Sequence, residues 1–336
     1  MDKDSIIIKK LIVHILDSTV GMPVLSDTEL DFGPDLSDFF KAHIDKIANT
    51  DDNKRCEFME ESEVLTCLKQ YNGENFIPFS HALASGLFEI MYSNPAIPPA
   101  DLAIIHFSFE GQDYIGLLKL NYKTSYTHMT QSKQEGNENK IILQQAILPS
   151  MGQRLSEACI INLNDYSIVL VEKKFEINDK KINYFSSLYM KCHAPLSTKA
   201  KLDIVTKAVE QVNSKYYAED DFNRKMEVKK VIYEELEEHG NIRVEAVKEK
   251  LFHNNQEMKQ EFEEKVEKYN LSQEELKPKH STTTKKFQKQ RLTTDTGIEL
   301  TIPMEDYTDT NKVEFITNED GTISILIKNI GQLLSK

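Results

Sequence analysis

The segment from Leu102 to Tyr122 reads LAIIHFSFEGQDYIGLLKLNY and carries the clearest structural signal in this chain. It consists of two runs rich in apolar, β-branched and aromatic residues, Leu102–Phe109 and Tyr114–Tyr122, joined around Glu110-Gly111-Gln112. Such runs favour strands, and a short connection that contains glycine favours a hairpin, because glycine accepts the backbone angles of a tight turn. We therefore expect an antiparallel sheet built around this hairpin.

More strands are predicted on both sides of the hairpin. Their segments are Ile6–Leu16, Ile141–Leu148, Ala158–Leu163 and Ser167–Val171, with a turn at Asn162–Asp165 between the last two. The segment Thr124–Asn139, by contrast, is polar and contains Gly136, which predicts a loop.

Helices are predicted before and after this sheet region. An amphipathic helix follows Gly33-Pro34 with Asp35 as its N-cap, and a second helix covers Ser80–Tyr92. From Thr198 to Asn270 the apolar residues recur at helical spacing in four successive stretches, which predicts a helical block.

The end of the chain returns to strands. Leu276–Thr284 has the composition of a linker, and two β-rich runs, Val313–Ile316 and Thr322–Ile327, flank the hairpin signature Asn318–Gly321. We therefore predict an α+β fold: a mixed, largely antiparallel sheet with N-terminal helices, a central-to-C-terminal helical block and a C-terminal β-hairpin. The predicted divisions are 1–195, 196–275 and 276–336.

Composition narrows the class of protein. The chain has 336 residues, with 54 acidic and 41 basic side chains and a formal net charge of −13. Its apolar content is enough for a sizeable core, while its longest apolar runs are far shorter than the ~20 residues of a membrane span. We expect no signal peptide, no membrane attachment, and a cytoplasmic location.

The cysteines and known motifs give no sign of a metal or cofactor. The four cysteines, Cys56, Cys67, Cys159 and Cys192, are widely spread and lack the CxxC spacing of a structural zinc site. There is no P-loop, GxGxxG, GxSxG or HExxH sequence either. We expect no cofactor.

One basic segment stands out from the acidic background. Lys277–Arg291 contains six cations and no acid, a local charge of +6 that leaves −19 for the remainder. The cations are Lys277, Lys279, Lys285, Lys286, Lys289 and Arg291, with Phe287 and the hydroxyls of Thr282–Thr284 among them. Such a run suits phosphate oxygens, because bound cations release condensed counterions and hydroxyls help to fix register. The alternative is a solvated linker held extended by its lysines.

A second candidate cluster follows the predicted hairpin. It comprises Lys119, Tyr122, Lys123, Tyr126 and His128, a combination that could contact a nucleic-acid backbone. The alternative is that the aromatic rings pack in the core and the lysines simply end in solvent. A third group, Arg224, Lys225, Lys229 and Lys230, is diluted by glutamates and is interpreted as the solvated face of a helix.

One set of residues could support catalysis. Asp165 and Glu172 could hold a divalent ion while Lys174 stabilises the charge that develops on a phosphate, as in a metal-dependent nuclease. The pattern arises easily in a chain with this many acids, so it is only an alternative.

Three segments resemble one known family. They are Ile8–Asp17 (IKKLIVHILD), Asp113–Lys123 (DYIGLLKLNYK) and Asn318–Asn329 (NEDGTISILIKN), and they are similar to the bacterial 37-kilodalton nucleoid-associated proteins over nearly the whole length. The resemblance implies a cytoplasmic, nucleoid-located protein that associates with DNA and has no enzymatic reaction of its own. It supplies no set of contact residues.

Several functional hypotheses remain open from the sequence. The first is a DNA-binding protein largely indifferent to base sequence, since no recognition-helix motif is evident. It would form a homodimer through the helical block, whose apolar stripes need partners. The others are the metal-dependent nuclease and an acidic adaptor for DNA-processing proteins.

Overall fold

The hairpin predicted at Leu102–Tyr122 forms the second and third strands of a seven-stranded sheet in the computed structural model, which describes residues 1–133, 136–217, 222–279, 281–332 and 334. The side chains of residues 133, 222–225, 281 and 282 lie outside this description. The chain divides into two compact units, Met1–Ser197 and Thr198–Lys336. The predicted boundary at 195/196 lies near this division, and the one at 275/276 falls inside the second unit.

The first unit alternates helices with strands. In chain order its main elements are β1 (Ile7–Leu16), α1 (Pro34–Asn49), β2 (Lys54–Phe58), α2 (Glu63–Gln70), α3 (Phe76–Ser93), β3 (Ala100–Phe109), β4 (Gln112–Asn121), β5 (Lys123–Lys133), β6 (Gly136–Ile147), β7 (Glu157–Asn162), β8 (Ile168–Val171), β9 (Phe175–Ile177), β10 (Lys180–Ile182), a π-helical turn (Phe185–Met190) and β11 (Cys192–His193). The sheet order is β1-β3-β4-β7-β8-β2-β11, and each neighbouring pair is antiparallel. The predicted antiparallel sheet and the α+β class are confirmed.

The β3–β4 turn shows why the central hairpin was predictable. Phe109 pairs with Gln112, which leaves Glu110 and Gly111 as a two-residue loop with φ of 50° and 76°. Positive φ at both positions is the geometry that matches the twist of a hairpin, and glycine adopts it without steric cost.

Two hydrophobic layers cover the sheet. One face packs against α2, α3 and the π-helical turn, through buried side chains such as Leu83, Leu87 and Phe185. The other face packs against α1 through Phe40 and Ile44. The alternation of apolar residues in β3 and β4 supplies both faces, because successive strand side chains point to opposite sides.

Two local predictions for the first unit were wrong. Helix α1 starts at Pro34 with Gly33 as its N-cap, so Asp35 lies in the first turn and is not the cap. Proline fits this start because its missing N–H has no helical partner there.

The segment predicted as the loop Thr124–Asn139 is mostly strand, in β5 and β6, apart from residues 134–135, which lie outside the described part. Its threonines and tyrosine favour extended backbone, and its polarity reflects exposure of both faces to solvent.

The second unit begins with the predicted helices. Its elements are α4 (Thr198–Tyr216), α5 (Phe222–His239), β12 (Ile242–Arg243), α6 (Val244–Phe252), α7 (Gln256–Glu267), β13 (Glu275–Leu276), α8 (Ser281–Gln288), β14 (Lys289–Thr293), β15 (Glu299–Pro303), α9 (Met304–Tyr307), β16 (Val313–Thr317) and β17 (Ile323–Ile327). The four-helix stretch and the C-terminal hairpin β16–β17 are as predicted.

The linker predicted at Leu276–Thr284 is wrong. Leu276 and Phe287 are 2% and 3% exposed and belong to the same core as the helices α4–α7. The core therefore holds the chain at Leu276, before α8, and at Phe287, within α8. Within the described residues, no helix is both long and apolar enough to cross a membrane.

Candidate nucleic-acid interface

The predicted basic segment forms an ordered surface of the second unit. Lys285 and Lys286 lie in the last turn of α8, which is anchored by the buried ring of Phe287. In β14 the buried Gln290 lies between Lys289 and Arg291, so those two exposed cations point to the same side of the strand. Lys277 and Lys279 follow β13 and are also exposed.

Three cations from three different elements converge at this surface. The pKa of Lys229 on α5 is lowered first by burial and then by the positive charges of Lys286 and Arg291. Helix α5 packs against α8, which explains how Lys229 and Lys286 come close together. Like charges placed together raise the local positive potential, which favours an anion.

The interpretation of Lys229 as part of a solvated helix face was therefore wrong. Its side chain is half-buried beside the basic segment, whereas its neighbour Lys230 lies 3.9 Å from Glu234 on the same helix. The side chains of Arg224 and Lys225, which belonged to the same prediction, lie outside the described residues.

Some of these cations already have an acidic partner. Lys286 Nζ lies 3.5 Å from Asp203 Oδ1 and 4.9 Å from the centre of the Phe287 ring, and Lys277 Nζ lies 3.5 Å from Glu275 Oε2. Exposed pairs of this kind contribute only about 0–1 kcal/mol, so a phosphate can replace the carboxylate at little cost. No ion pair within the described ranges joins Lys285, Lys289 or Arg291 to an acid.

The structure places Lys119 in the core. Its side chain has no solvent exposure, and its ammonium group donates hydrogen bonds to the Pro98 carbonyl (3.1 Å) and Asn121 Oδ1 (2.5 Å). Glu157 Oε2 lies 3.7 Å away and is equally buried. The prediction that Lys119 contacts a nucleic acid is therefore wrong for this fold, because its charge faces the interior.

The other members of that cluster lie apart from Lys119. The Tyr122 hydroxyl donates a hydrogen bond to Asp101 Oδ1 at 2.5 Å, and burial, followed by this carboxylate, raises the pKa of the phenol. Lys123 is exposed at the start of β5, and Tyr126 and His128 are exposed farther along the same strand. The predicted cluster therefore combined one buried cation with residues of an exposed strand, because these residues are close together in the sequence.

A group of cations in the first unit was not predicted from the sequence to lie together, although Lys174 was considered in the nuclease alternative. Exposed lysines flank and occupy the small β9–β10 hairpin, whose turn at Asn178 and Asp179 has positive φ, and they are Lys173, Lys174, Lys180 and Lys181. The sequence feature that could have revealed this group is a pair of lysines on either side of an Asn-Asp turn.

The two proposed nuclease carboxylates are engaged in structural contacts, whereas Lys174 is exposed. The side chain of Glu172 is fully buried, with Oε1 accepting from Lys54 Nζ (2.7 Å) and the Ser186 hydroxyl (2.9 Å), and Oε2 accepting from the Ser186 N–H (3.0 Å). Asp165 accepts from the Ser167 N–H at 2.9 Å, and this bond lowers its pKa.

A different group of described residues brings three potential metal ligands close together. Among the described residues, the cluster with three potential metal ligands is Glu235, Glu238 and His239. Glu235 in that cluster accepts two hydrogen bonds from Arg243, at 2.9 and 3.1 Å. The geometry therefore favours structural roles for Glu172, Asp165 and Glu235.

Helices α6 and α7 are joined by only three residues, the spacing of a helix-turn-helix. In DNA-binding examples the second helix enters the major groove. Here the exposed positions of α7 include Glu257, Glu263, Glu264 and Glu267, and these carboxylates would be repelled by phosphates. This pair of helices therefore does not support base-specific recognition.

Comparison with protein families accounts for nearly the whole chain. The sequence model of the family NA37, described as nucleoid-associated protein YejK, matches residues 12–334. This chain belongs to that family. The match confirms the resemblance drawn from the opening strand, the central hairpin and the C-terminal hairpin, and it spans both units. No curated protein matches the chain significantly. The NA37 assignment establishes a nucleoid-associated family.

Proposed function

We propose that this NA37 protein binds DNA phosphates through one basic surface of its second unit, defined as Lys229, Lys285, Lys286, Lys289 and Arg291. The observation that carries the proposal is the proximity of Lys286 and Arg291 to Lys229, whose pKa their positive charges lower, on helices α5 and α8 that pack together and the strand β14 that follows. A concentrated positive potential binds a polyanion by releasing its condensed counterions. Lys277, Lys279 and Lys123 are predicted contacts outside this surface.

An acidic protein can still bind DNA in this way. The net charge of −13 repels DNA at long range, but salt screens exposed charges over about 10 Å at 0.1 M ionic strength. At contact the phosphates therefore experience mainly the local cations. Since the exposed face of α7 is acidic and no other base-reading element is proposed, binding should depend little on base sequence.

The proposal also includes three statements that are more specific than membership of a nucleoid-associated family. They are location in the nucleoid, no reaction of the protein's own, and self-association as a homodimer. The apolar stripe of α4 does not provide the dimer contact, because Leu202, Val205 and Val209 are fully buried within their own unit. An adaptor role for DNA-processing proteins stays a prediction, and a pull-down from nuclease-treated lysate would reveal it.

A salt titration tests the proposal directly. If the five cations of the basic surface neutralise about five phosphates, log affinity should fall against log salt with a slope of about −4.5. The variant K285A/K286A/K289A should reduce the slope to about −2. The matched control K215A/K259A/K265A removes three lysines of the same unit that already pair with glutamates, and should change the slope little.

The outcomes separate the alternatives. Equal slopes for wild type and K285A/K286A/K289A would reject this surface as the contact, and an equal loss in both triple variants would indicate a general charge effect. Parallel titrations with duplex DNA, single-stranded DNA and RNA determine which polyanion is preferred. Scrambled duplexes should bind alike.

A further inference from the structure

The β5–β6 hairpin forms an arm, defined as residues 123–133 and 136–147, that is separate from the seven-stranded sheet. The two strands pair only with each other, and most of their residues are exposed. Eleven residues of β5 at about 3.4 Å each give the arm a length of about 35 Å. An isolated two-stranded ribbon is marginally stable in water, so a ribbon of this length needs a partner surface.

The two faces of the arm differ in charge. Cross-strand partners share a face, and one face consists of the pairs Tyr126–Leu143, His128–Ile141, Thr130–Asn139 and Ser132–Asn137. This set, called the arm face below, contains no lysine, arginine, aspartate or glutamate. The opposite face contains Lys140 and Glu138, whose side chains lie 3.4 Å apart.

The arm face is also the apolar one. Tyr126, Ile141 and Leu143 are 73%, 78% and 48% exposed and lie side by side in the half of the arm nearer the sheet. Towards the tip, the Thr130 hydroxyl donates to Asn139 Oδ1 at 2.8 Å and the Ser132 hydroxyl to Asn137 Oδ1 at 3.1 Å. The face thus has an apolar centre and a polar end that is hydrogen-bonded within the arm, the composition of a protein interface.

We propose that the arm face packs against the arm face of a second copy of this chain about a two-fold axis. In a two-fold contact the residues near the axis face their own copies, so a charge near the centre of the face, where Ile141 lies, would meet the same charge. In a chain with a net charge of −13, an uncharged apolar face is compatible with its own copy. DNA is a poorer occupant, because the arm face has no cation to offer the phosphates.

The size of the arm face predicts a modest affinity. Two strands about 4.8 Å apart and about 35 Å long bury on the order of 500 Å² per chain, below the ~800 Å² of a standard interface. We therefore expect a dimer with a dissociation constant in the micromolar range, and a dimer brings two basic surfaces to one DNA molecule.

Sedimentation velocity of the full chain from 1 to 100 µM tests the interface. Wild type should dimerise over this range, and I141E should raise the dissociation constant at least tenfold, because it brings two carboxylates together on an apolar face. Q144E is the matched control, since Gln144 is exposed in the same strand but lies on the opposite face. It should dimerise as wild type does.

Charge pairing provides a positive test. I141E and I141K should each be monomeric alone and should associate when mixed, because opposite charges then face each other across the axis. Circular dichroism and thermal unfolding of both variants should match wild type, since position 141 lies outside the core.

Specific results would overturn the proposal. They are a wild type that stays monomeric at 100 µM, an I141E variant that dimerises as strongly as wild type, or an I141E/I141K mixture that remains monomeric. If I141E abolished DNA binding by a monomeric wild type, the arm would be assigned to nucleic acid instead. The K285A/K286A/K289A variant should dimerise normally, so failure of the arm proposal and failure of the DNA proposal are distinguishable.

Discussion

Lys119 and Glu157 are cross-strand neighbours on β4 and β7, and both charged side chains are completely buried, with Lys119 Nζ 3.7 Å from Glu157 Oε2. Burial lowers the pKa of Lys119 to about 8 and raises the pKa of Glu157, while each charge opposes the shift of the other. Asn121 joins the two, accepting from the ammonium group and donating to Glu157 Oε2 at 2.8 Å. The pair therefore belongs to the framework of the sheet.

Breaking this buried pair should destabilise the first unit strongly. Lys119→Met leaves Glu157 without its cation, and we expect a loss of about 3–5 kcal/mol in the free energy of unfolding. The double variant Lys119→Met/Glu157→Met should recover most of that loss, because no unpaired charge remains. Chemical denaturation measures both, with exposed Lys123→Met as a control within about 0.5 kcal/mol of wild type. A double variant as unstable as the single one would contradict this account.

Acid should weaken the first unit through its buried histidines. Burial, then His81, lowers the pKa of His14 to about 4, and its Nδ1 accepts from the Ser26 N–H at 3.1 Å while Nε2 faces the Ser80 hydroxyl at 3.0 Å. The pKa of unfolded histidine is near 6.5, so between these pH values the unfolded chain binds more protons and acid favours unfolding.

The measurement is the free energy of unfolding at pH 7 and pH 5. We expect a loss on the order of 1 kcal/mol from His14 after allowance for solvent screening, and a smaller pH dependence in His14→Gln. His43, whose pKa burial and then Lys46 lower to about 4, should account for part of the remainder. Exposed His128→Gln should leave the pH dependence intact. An unchanged pH dependence in His14→Gln would reject the assignment.

Lys229 should affect stability and DNA binding in opposite directions. Its lowered pKa means that the folded protein disfavours the charged form, so Lys229→Met should stabilise the second unit by a few tenths of a kcal/mol. The same change should weaken DNA binding several-fold and reduce the salt slope by about 0.9. Lys230→Met on the same helix is the control. Unfolding curves and DNA titrations give both numbers, and stronger DNA binding by Lys229→Met would refute the basic surface.

Glu172 should contribute to the stability of the first unit and not to a nuclease reaction. Glu172→Gln weakens contacts to Lys54 and Ser186 in a buried place, and we expect a loss of about 2–3 kcal/mol in stability. We expect wild type to leave supercoiled plasmid intact with magnesium or manganese. Cleavage by wild type that disappears in a folded Glu172→Ala variant would instead support the nuclease alternative.

Much of the fold could be predicted because it depends on local chemistry. The β3–β4 hairpin needs only an alternating pattern and a turn residue such as Gly111, and the helices from Thr198 onward follow from apolar spacing. The strand Ile141–Leu148 of the β5–β6 hairpin was predicted, but the strand residues within Thr124–Asn139 were missed, because strands exposed on both faces have the polarity of a loop. Helix α8 was missed because one distant contact, the burial of Phe287 against the other helices, organises its polar residues.

The sequence alone determined the periodicity of strands and helices, the antiparallel class and the family resemblance. These features depend on backbone preferences that act over a few neighbouring residues. Which cations share a surface is a different matter. Lys119 and Lys123 are close in the chain, yet one is buried and the other exposed, whereas Lys229 and Arg291 are far apart and lie together. Electrostatic potential depends on distance in space, and long-range packing of the second unit sets those distances.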